Sequence, residues 1–188
     1  MAFDYPIVLD LTGVHVVVVG GGGVACRKIE GLLKAHADVT VVAPVVIDEI
    51  RNLPVQVVAR DYQPDDLSTA RLVITATDDP TVNANVAADA GHRGIWVNSA
   101  DDPANCTFIL PAVARAGPIT VAVSTGGATP ALASHLRSEI QRWLEDVGAA
   151  DAADALATQR NEIKAEGVST ESIDWSDRVR AALRRQSW

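Results

Sequence analysis

Val14 to Val19 is an apolar, β-branched run interrupted only by His15 and closed by glycine. A run of that length and composition predicts a buried strand. Ile29, Leu32 and Leu33 fall on one side of a following helix, expected over 24–36. The same alternation continues. Val39 to Val42 predicts a second strand, stopped by Pro44; 47–52 a short helix; Val55 to Ala59 a third strand; Leu72 to Ala76 a fourth. Thr77-Asp78-Asp79-Pro80 reads as a helix start, an acidic cap before a first-turn proline. That helix should end near Gly91 and Gly94, before a fifth strand at 95–98. Strands alternating with helices predict βαβ units and a doubly wound, Rossmann-like parallel sheet, of order 3-2-1-4-5 with right-handed crossovers.

After residue 100 the pattern changes. Phe108 to Val113 and Ile119 to Val123 are extended runs joined by Arg115-Ala116-Gly117-Pro118, with no room for a helix between them. They predict a hairpin, which is marginal in water alone. Phe108, Leu110, Val121 and Val123 alternate along it, and no covering helix is evident, so a homodimer is expected with this segment at its interface. From Ala128 the chain turns helical, with Leu132, Leu136, Ile140, Trp143 and Leu144 on one stripe. An alanine-rich helix over 149–165, a break at 167–170 and a last helix over 175–185 complete the pattern. The expected organisation is a dinucleotide-binding domain over 1–104, a dimerisation hairpin over 105–127 and a helical region over 128–188.

Composition narrows the function. The 188 residues carry 16 basic and 24 acidic side chains, a net charge of −8, and aromatics make up 4%. Neither a basic nucleic-acid footprint nor an aromatic stacking surface is present, so no nucleic-acid partner is expected. The start shows no cationic leader with an apolar stretch, and no apolar run is long enough to span a bilayer. Cys26 and Cys106 are far apart and form no C-x-x-C pair. A cytoplasmic protein without membrane attachment is expected. No His, Cys, Asp and Glu set has metal-ligand spacing, so no resident metal is expected.

The chemistry gathers at loops. Gly20-Gly21-Gly22-Gly23-Val24-Ala25 closes the first strand and fits G-x-G-x-x-A. Gly20 would permit the tight turn, Gly22 the approach of a pyrophosphate, and Ala25 the packing of helix on strand. The helix start at Gly23 and Val24 offers N–H groups and the positive dipole end to an anion. A ligand-free glycine turn is the plainer alternative. The second strand ends in Ala43-Pro44-Val45, with no carboxylate for ribose hydroxyls, so backbone at Pro44 and Val45 is expected to serve. With no arginine there for a 2′-phosphate, the expected cofactor is NAD. Thr77 and Asp78 end strand four at the same edge; Asp78 and Asp79 read either as helix caps or as ligand neighbours. Asn83 reads as a polar surface residue. Ser124-Thr125-Gly126-Gly127 precedes a helix and could hold substrate carboxylates, with Arg115, His135, Arg137 and Arg142 as further candidates; an ordinary cap with surface cations is the alternative. Cys106 reads as packing or site lining, His15 as structural.

Asn98-Ser99-Ala100-Asp101-Asp102-Pro103-Ala104-Asn105-Cys106-Thr107-Phe108 resembles the N-x-x-D-x-P-x-x-C-x-F signature of the precorrin-2 dehydrogenase and sirohydrochlorin ferrochelatase family, the siroheme synthase N-terminal module. Arg27-Lys28 after the glycine loop, Ala76-Thr77-Asp78-Asp79 with Val82-Asn83, and Val121 to Gly127 with Pro130-Ala131-Leu132-Ala133 agree with it, in order, over roughly 7–140. The resemblance implies NAD-dependent oxidation of precorrin-2 to sirohydrochlorin by a homodimer. In some members the same site inserts ferrous iron, which enters as a substrate. The family's essential aspartate falls on Asp101, where a carboxylate can remove a proton as hydride leaves; a turn former before Pro103 is the plainer reading. Two other classes remain. A redox-sensing NAD-binding module would need the glycine loop but not Asp101. An S-adenosylmethionine enzyme on a similar fold is opposed by the dinucleotide fingerprint.

Overall fold

The computed structural model describes residues 3, 5–100 and 102–183. It divides into two compact units, Met1–Leu110 and Pro111–Trp188. In the first, strand β1 (His15–Val19) lies at the centre of a parallel sheet, between β2 (Asp38–Val42) and β4 (Leu72–Thr75). β3 (Gln56–Val58) and β5 (Trp96–Ser99) form the edges, giving the order β3-β2-β1-β4-β5. That is the expected topology.

β1 is buried on both faces, which is why its sequence is continuous rather than alternating valine. Val16 and Val18 face helix α1 (Gly23–Lys34), whose Ala25, Ile29 and Leu32 are buried, and Ile50 of α2 (Asp48–Arg51). Val17 and Val19 face helix α3 (Pro80–Arg93) through Val86 and Ala90. Each fully buried valine contributes about 1.5–3 kcal/mol, so an aspartate at Val18 would bury a charge at the centre of the α1-side layer. α3 starts on Asp79 and Pro80, as expected, and stops at Gly94 with φ of 66°. His15 bonds Thr69 Oγ1 at 2.9 Å and Thr40 Oγ1 at 3.0 Å, a structural role.

In the second unit, β6 (Ala112–Ala116) pairs with β7 (Ile119–Val123) in an antiparallel hairpin. Ala116 lies opposite Ile119, so only Gly117 and Pro118 form the turn, with Gly117 at φ 53°. Two expectations are corrected here. The first extended run does not start the hairpin at Phe108. Thr107 and Phe108 N–H groups instead bond Val97 O at 2.8 and 3.4 Å, and Phe108 packs against the α1-side core. Arg115 and Ala116 consequently belong to the strand, not the turn. Nor does the hairpin lack a covering helix. α4 (Pro130–Asp146) packs on it: Leu144 and Val147, the residue after the helix, enclose Ala114, with Ile119, Val121 and Ile140 alongside. The apolar stripe of α4 is only partly used, because Leu132, Leu136 and Trp143 remain exposed. Helices α5 (Ala149–Ala165) and α6 (Ser176–Ala182) follow. Among the described residues, no helix is long and apolar enough to cross a membrane.

Candidate dinucleotide site and its strand-five loop

Parallel strands bring the loops after β1, β2, β4 and β5 to one edge of the sheet, where open α/β sheets take their ligands. The four glycines after β1 divide sharply. Gly20 has φ 131°, and a Cβ there would lie 2.4 Å from Ala76 O. Gly21 is tighter: its Cβ would meet Val45 O at 2.1 Å, while its carbonyl accepts Ile47 N–H at 3.0 Å. These two glycines are required by their own protein neighbours. At Gly22 and Gly23 the opposite holds, for nothing among the described residues lies within 4 Å of a Cβ. Both are exposed, as is Val24, whereas Gly20 and Gly21 are buried.

Gly22 caps α1 through its backbone, and the first turn of that helix carries no acidic residue. First-turn N–H groups lack intrahelical acceptors and sit at the positive end of the dipole. An exposed, side-chain-free cradle at such a helix start fits a pyrophosphate. Ala25, fully buried, allows the close helix–strand contact. In the G-x-G-x-x-A motif Gly21 is an unspecified position; its role depends on the backbone of a loop 24 positions on, which no local pattern reveals.

Beside this cradle, Pro44 and Val45 are exposed past the end of β2. Past β4, capping falls to Asp79, whose Oδ1 accepts Thr81 N–H at 2.8 Å and Val82 N–H at 3.4 Å; Asp78 is exposed on the loop. Asn83 is not the surface residue expected. It is 6% exposed, accepts from Thr77 Oγ1 at 2.9 Å and donates to Thr77 O at 3.0 Å. It thus clamps the Thr77 loop against α3. The signal was its spacing: Asn83, Val86 and Ala90 lie at i, i+3 and i+7, the inward face.

Past β5, Asp101 lies outside the described residues. On its two sides the chain is held by side chains. Asn98, Ser99 and Cys106 are buried. Cys106 Sγ receives Ser99 N–H at 3.1 Å and lies 3.3 Å from both Ser99 O and Asp102 O. Burial pushes its thiol pKa up, so it is a protonated donor and no nucleophile. Ser99 Oγ accepts from Thr75 Oγ1 at 3.0 Å, tying β5 to β4. The turn-forming carboxylate is Asp102, which caps a 3₁₀ turn (Pro103–Asn105) by accepting from Ala104 N–H and Asn105 Nδ2.

In the second unit, Ser124 Oγ accepts Gly126 N–H, and Thr125 Oγ1 accepts Thr129 N–H, both at 3.1 Å. The Ser124–Gly127 turn therefore spends part of its hydrogen-bonding capacity on itself. Gly126 and Gly127 have φ of 62° and 87°. Arg115 lies at the turn end of the hairpin, opposite Thr120, whereas Ser124 to Gly127 follow its open end. The structure does not bring these two candidate groups together. Gln141 brackets the Arg115 backbone, accepting its N–H and donating to its carbonyl at 2.9 Å each. A cleft of about 300 Å³ adjoins Arg115, Gln141, Glu145 and Asp151. His135 and Arg142 both face Glu139 on the exposed side of α4. Among the described residues no three His, Cys, Asp or Glu side chains gather as a metal set.

A family model of NAD(P)-binding domains matches residues 7–112, more than half of the chain, and a model described as the central region of sirohaem biosynthesis proteins matches 116–142. The chain belongs to this NAD(P)-binding family. Siroheme synthase of Nitrosomonas europaea is 44% identical over 144 residues, covering 73% of this chain and 30% of that protein. Siroheme synthase of Pseudomonas putida is 45% identical over 146 residues, covering 75% and 32%. The chain thus spans under a third of the length of these relatives. Among solved structures, SirC, a precorrin-2 dehydrogenase, superposes with a TM-score of 0.73 at 28% identity, covering 95% of this chain and 87% of that one. Membership of the NAD(P)-binding family assigns the cradle a nicotinamide dinucleotide.

Proposed function

We propose that the protein is a precorrin-2 dehydrogenase that oxidises precorrin-2 to sirohydrochlorin with NAD. The observation that carries this reading is the division of the glycine loop, packed at Gly20 and Gly21 and open at Gly22 and Gly23. It is a built dinucleotide cradle in an NAD(P)-binding chain whose residues 116–142 match the central region of sirohaem biosynthesis proteins. The oxidation removes one hydride and one proton from the macrocycle. Bound NAD supplies the hydride acceptor. This chain's residues do the rest. N–H groups at Gly23 and Val24 hold the pyrophosphate, backbone at Pro44 and Val45 takes the adenosine ribose, and the Thr77–Asp78 loop walls the edge. NAD is preferred to NADP because neither arginine nor lysine follows β2 directly. Asp101 takes the ring proton. Ser124 to Gly127, with His135, meet the substrate's carboxylates; Arg115, at the other end of the hairpin, is not part of that group.

Ferrous iron, where the protein also acts as a chelatase, enters as a substrate and leaves in the product. The chain works in the cytoplasm with both cysteines free. It divides functionally into cofactor (1–104), hairpin (105–127) and helical (128–188) parts. It acts as a homodimer, and exposed Leu132, Leu136 and Trp143 on α4 are better evidence for that than the covered hairpin. Light scattering should return a dimer mass.

The deciding experiment is anaerobic incubation with precorrin-2 and NAD, followed by absorbance. Growth of the sirohydrochlorin spectrum together with NADH is expected. Tight NAD binding without any spectral change would instead mark a redox-sensing module.

A further inference from the structure

We propose that Asn98 and Cys106 are positioning residues for the strand-five loop, fixing the backbone on both sides of Asp101. The inference rests on the reading of Asp101 as the proton acceptor. Ser99 and Asp102 bracket that residue in the chain, and one sulfur atom contacts both. Cys106 Sγ accepts Ser99 N–H at 3.1 Å, and its S–H has Ser99 O and Asp102 O as alternative acceptors at 3.3 Å each. The thiol is therefore a cross-link between the two ends of a four-residue arc. A buried cysteine used only as a small hydrophobe needs volume and no polar neighbours.

Asn98 extends the same hold. Its Nδ2 donates to Phe108 O at 3.0 Å and approaches Cys106 Sγ at 3.7 Å. A carbonyl only accepts, so the amide orientation is fixed by chemistry and Nδ2 must face Phe108. Oδ1 then points elsewhere and finds no partner among the described residues, although the side chain is 6% exposed. Buried acceptors are rarely left so. The amide is held at that cost because its other end ties the returning segment to β5. Together the two side chains tie Ser99, Asp102 and Phe108 to one another and to the end of β5.

The test compares Cys106→Ser, which keeps a donor and an acceptor, with Cys106→Val, which keeps the volume and removes both. Asp101→Asn serves as the reference for lost chemistry. Hydrogen–deuterium exchange of the segment 99–108 should rise at least tenfold in Cys106→Val and stay within threefold of the parent in Cys106→Ser. With precorrin-2 and NAD, Cys106→Val should lose at least tenfold in kcat while KM and NAD affinity change less than threefold. Cys106→Ser should restore most of that kcat. Unchanged exchange in Cys106→Val, or equal opening in both variants, would overturn the proposal. So would faster exchange in Cys106→Val with undiminished kcat beside an inactive Asp101→Asn. Full turnover by Asp101→Asn would overturn the catalytic reading of Asp101 instead, and the exchange data then decide the anchoring alone.

Discussion

Of the loops at the carboxyl edge of the sheet in the first unit, those after β1 and β5 are built in opposite ways. The β1 loop is shaped by atoms that are missing. Gly20 and Gly21 approach the Ala76 and Val45 carbonyls more closely than any Cβ allows, and Gly22 and Gly23 leave the helix start bare. The β5 loop is shaped by atoms that are present. Asn98, Ser99, Asp102 and Cys106 bond the chain back on itself side chain by side chain. One loop must accept a large anion of invariant shape, which bare backbone does well. On the proposed function the other holds a proton-transfer group in one place, and that needs fixed side chains. The first should therefore fail when atoms are added, the second when they are removed.

The largest effect expected from the β5 loop is on chemistry. Asp101→Ala should leave fold and dinucleotide affinity intact and lower kcat by about 10²–10⁴-fold, or about 3–5 kcal/mol in barrier. Its control is Asp102→Asn rather than Asp102→Ala, because Asp102 accepts Ala104 N–H at Oδ1 and Asn105 Nδ2 at Oδ2, and an amide removes the charge while its one oxygen keeps the Ala104 bond that caps the turn. Steady-state kinetics decide it. If Asp102→Asn is as inactive as Asp101→Ala, the charge of the loop matters and the single-residue assignment fails.

The β1 loop should give opposite phenotypes at adjacent residues. Gly21→Ala drives a methyl group to within 2.1 Å of Val45 O. Overpacking of this kind typically costs 1–3 kcal/mol, and a backbone neighbour with little freedom puts the expected loss near about 3 kcal/mol in urea unfolding. Gly22→Asp has open space around its Cβ and should unfold at the parent's denaturant midpoint. It nevertheless places a carboxylate at the anion cradle, and NAD affinity by calorimetry should drop at least about a hundredfold, about 2.7 kcal/mol at 1.36 kcal/mol per decade. A destabilised Gly22→Asp with normal NAD affinity would reverse the roles of the two glycines.

How much of this could be read in the sequence follows from the same contrast. The glycine loop and all five sheet strands were legible, because β-branched runs and glycine punctuation act locally. Asp79 and Pro80 marked the start of α3 for the same reason. Gly21, Asn83 and Cys106 were not assigned their roles, since each depends on a partner that only the fold supplies: the Val45 carbonyl, the Thr77 loop, and the returned backbone of Ser99 and Asp102. The hairpin was displaced by about four residues. Phe108 carries a strand-like pattern, but its place is in the α1-side core. Asp101 was found only through a resemblance, and it lies outside the described residues.

A third loop separates these devices from simple charge. Between β3 and β4, Asp66 in the 3₁₀ turn Pro64–Leu67 accepts Arg60 through both oxygens, at 2.6 and 2.8 Å, and Gln63 N–H at 2.8 Å. The Arg60 hydrogen bonds hold its carboxyl below the usual carboxylate range, against the opposing effect of burial. A depressed folded pKa means stability that is fully present above the unfolded value, near about 4, and lost as pH falls through the folded value. Asp66→Asn should therefore cost about 1 kcal/mol at pH 7, the scale of a partly exposed pair. The gap should close as pH falls below the folded pKa. Neither the β1 loop nor the Cys106 hold relies on a carboxylate charge, so Gly21→Ala and Cys106→Val should keep their stability differences across the same acid range. Denaturant midpoints at pH 7 and in acid measure all three. A gap for Asp66→Asn that persists unchanged in acid would show that this turn, too, is held by shape and neutral hydrogen bonds.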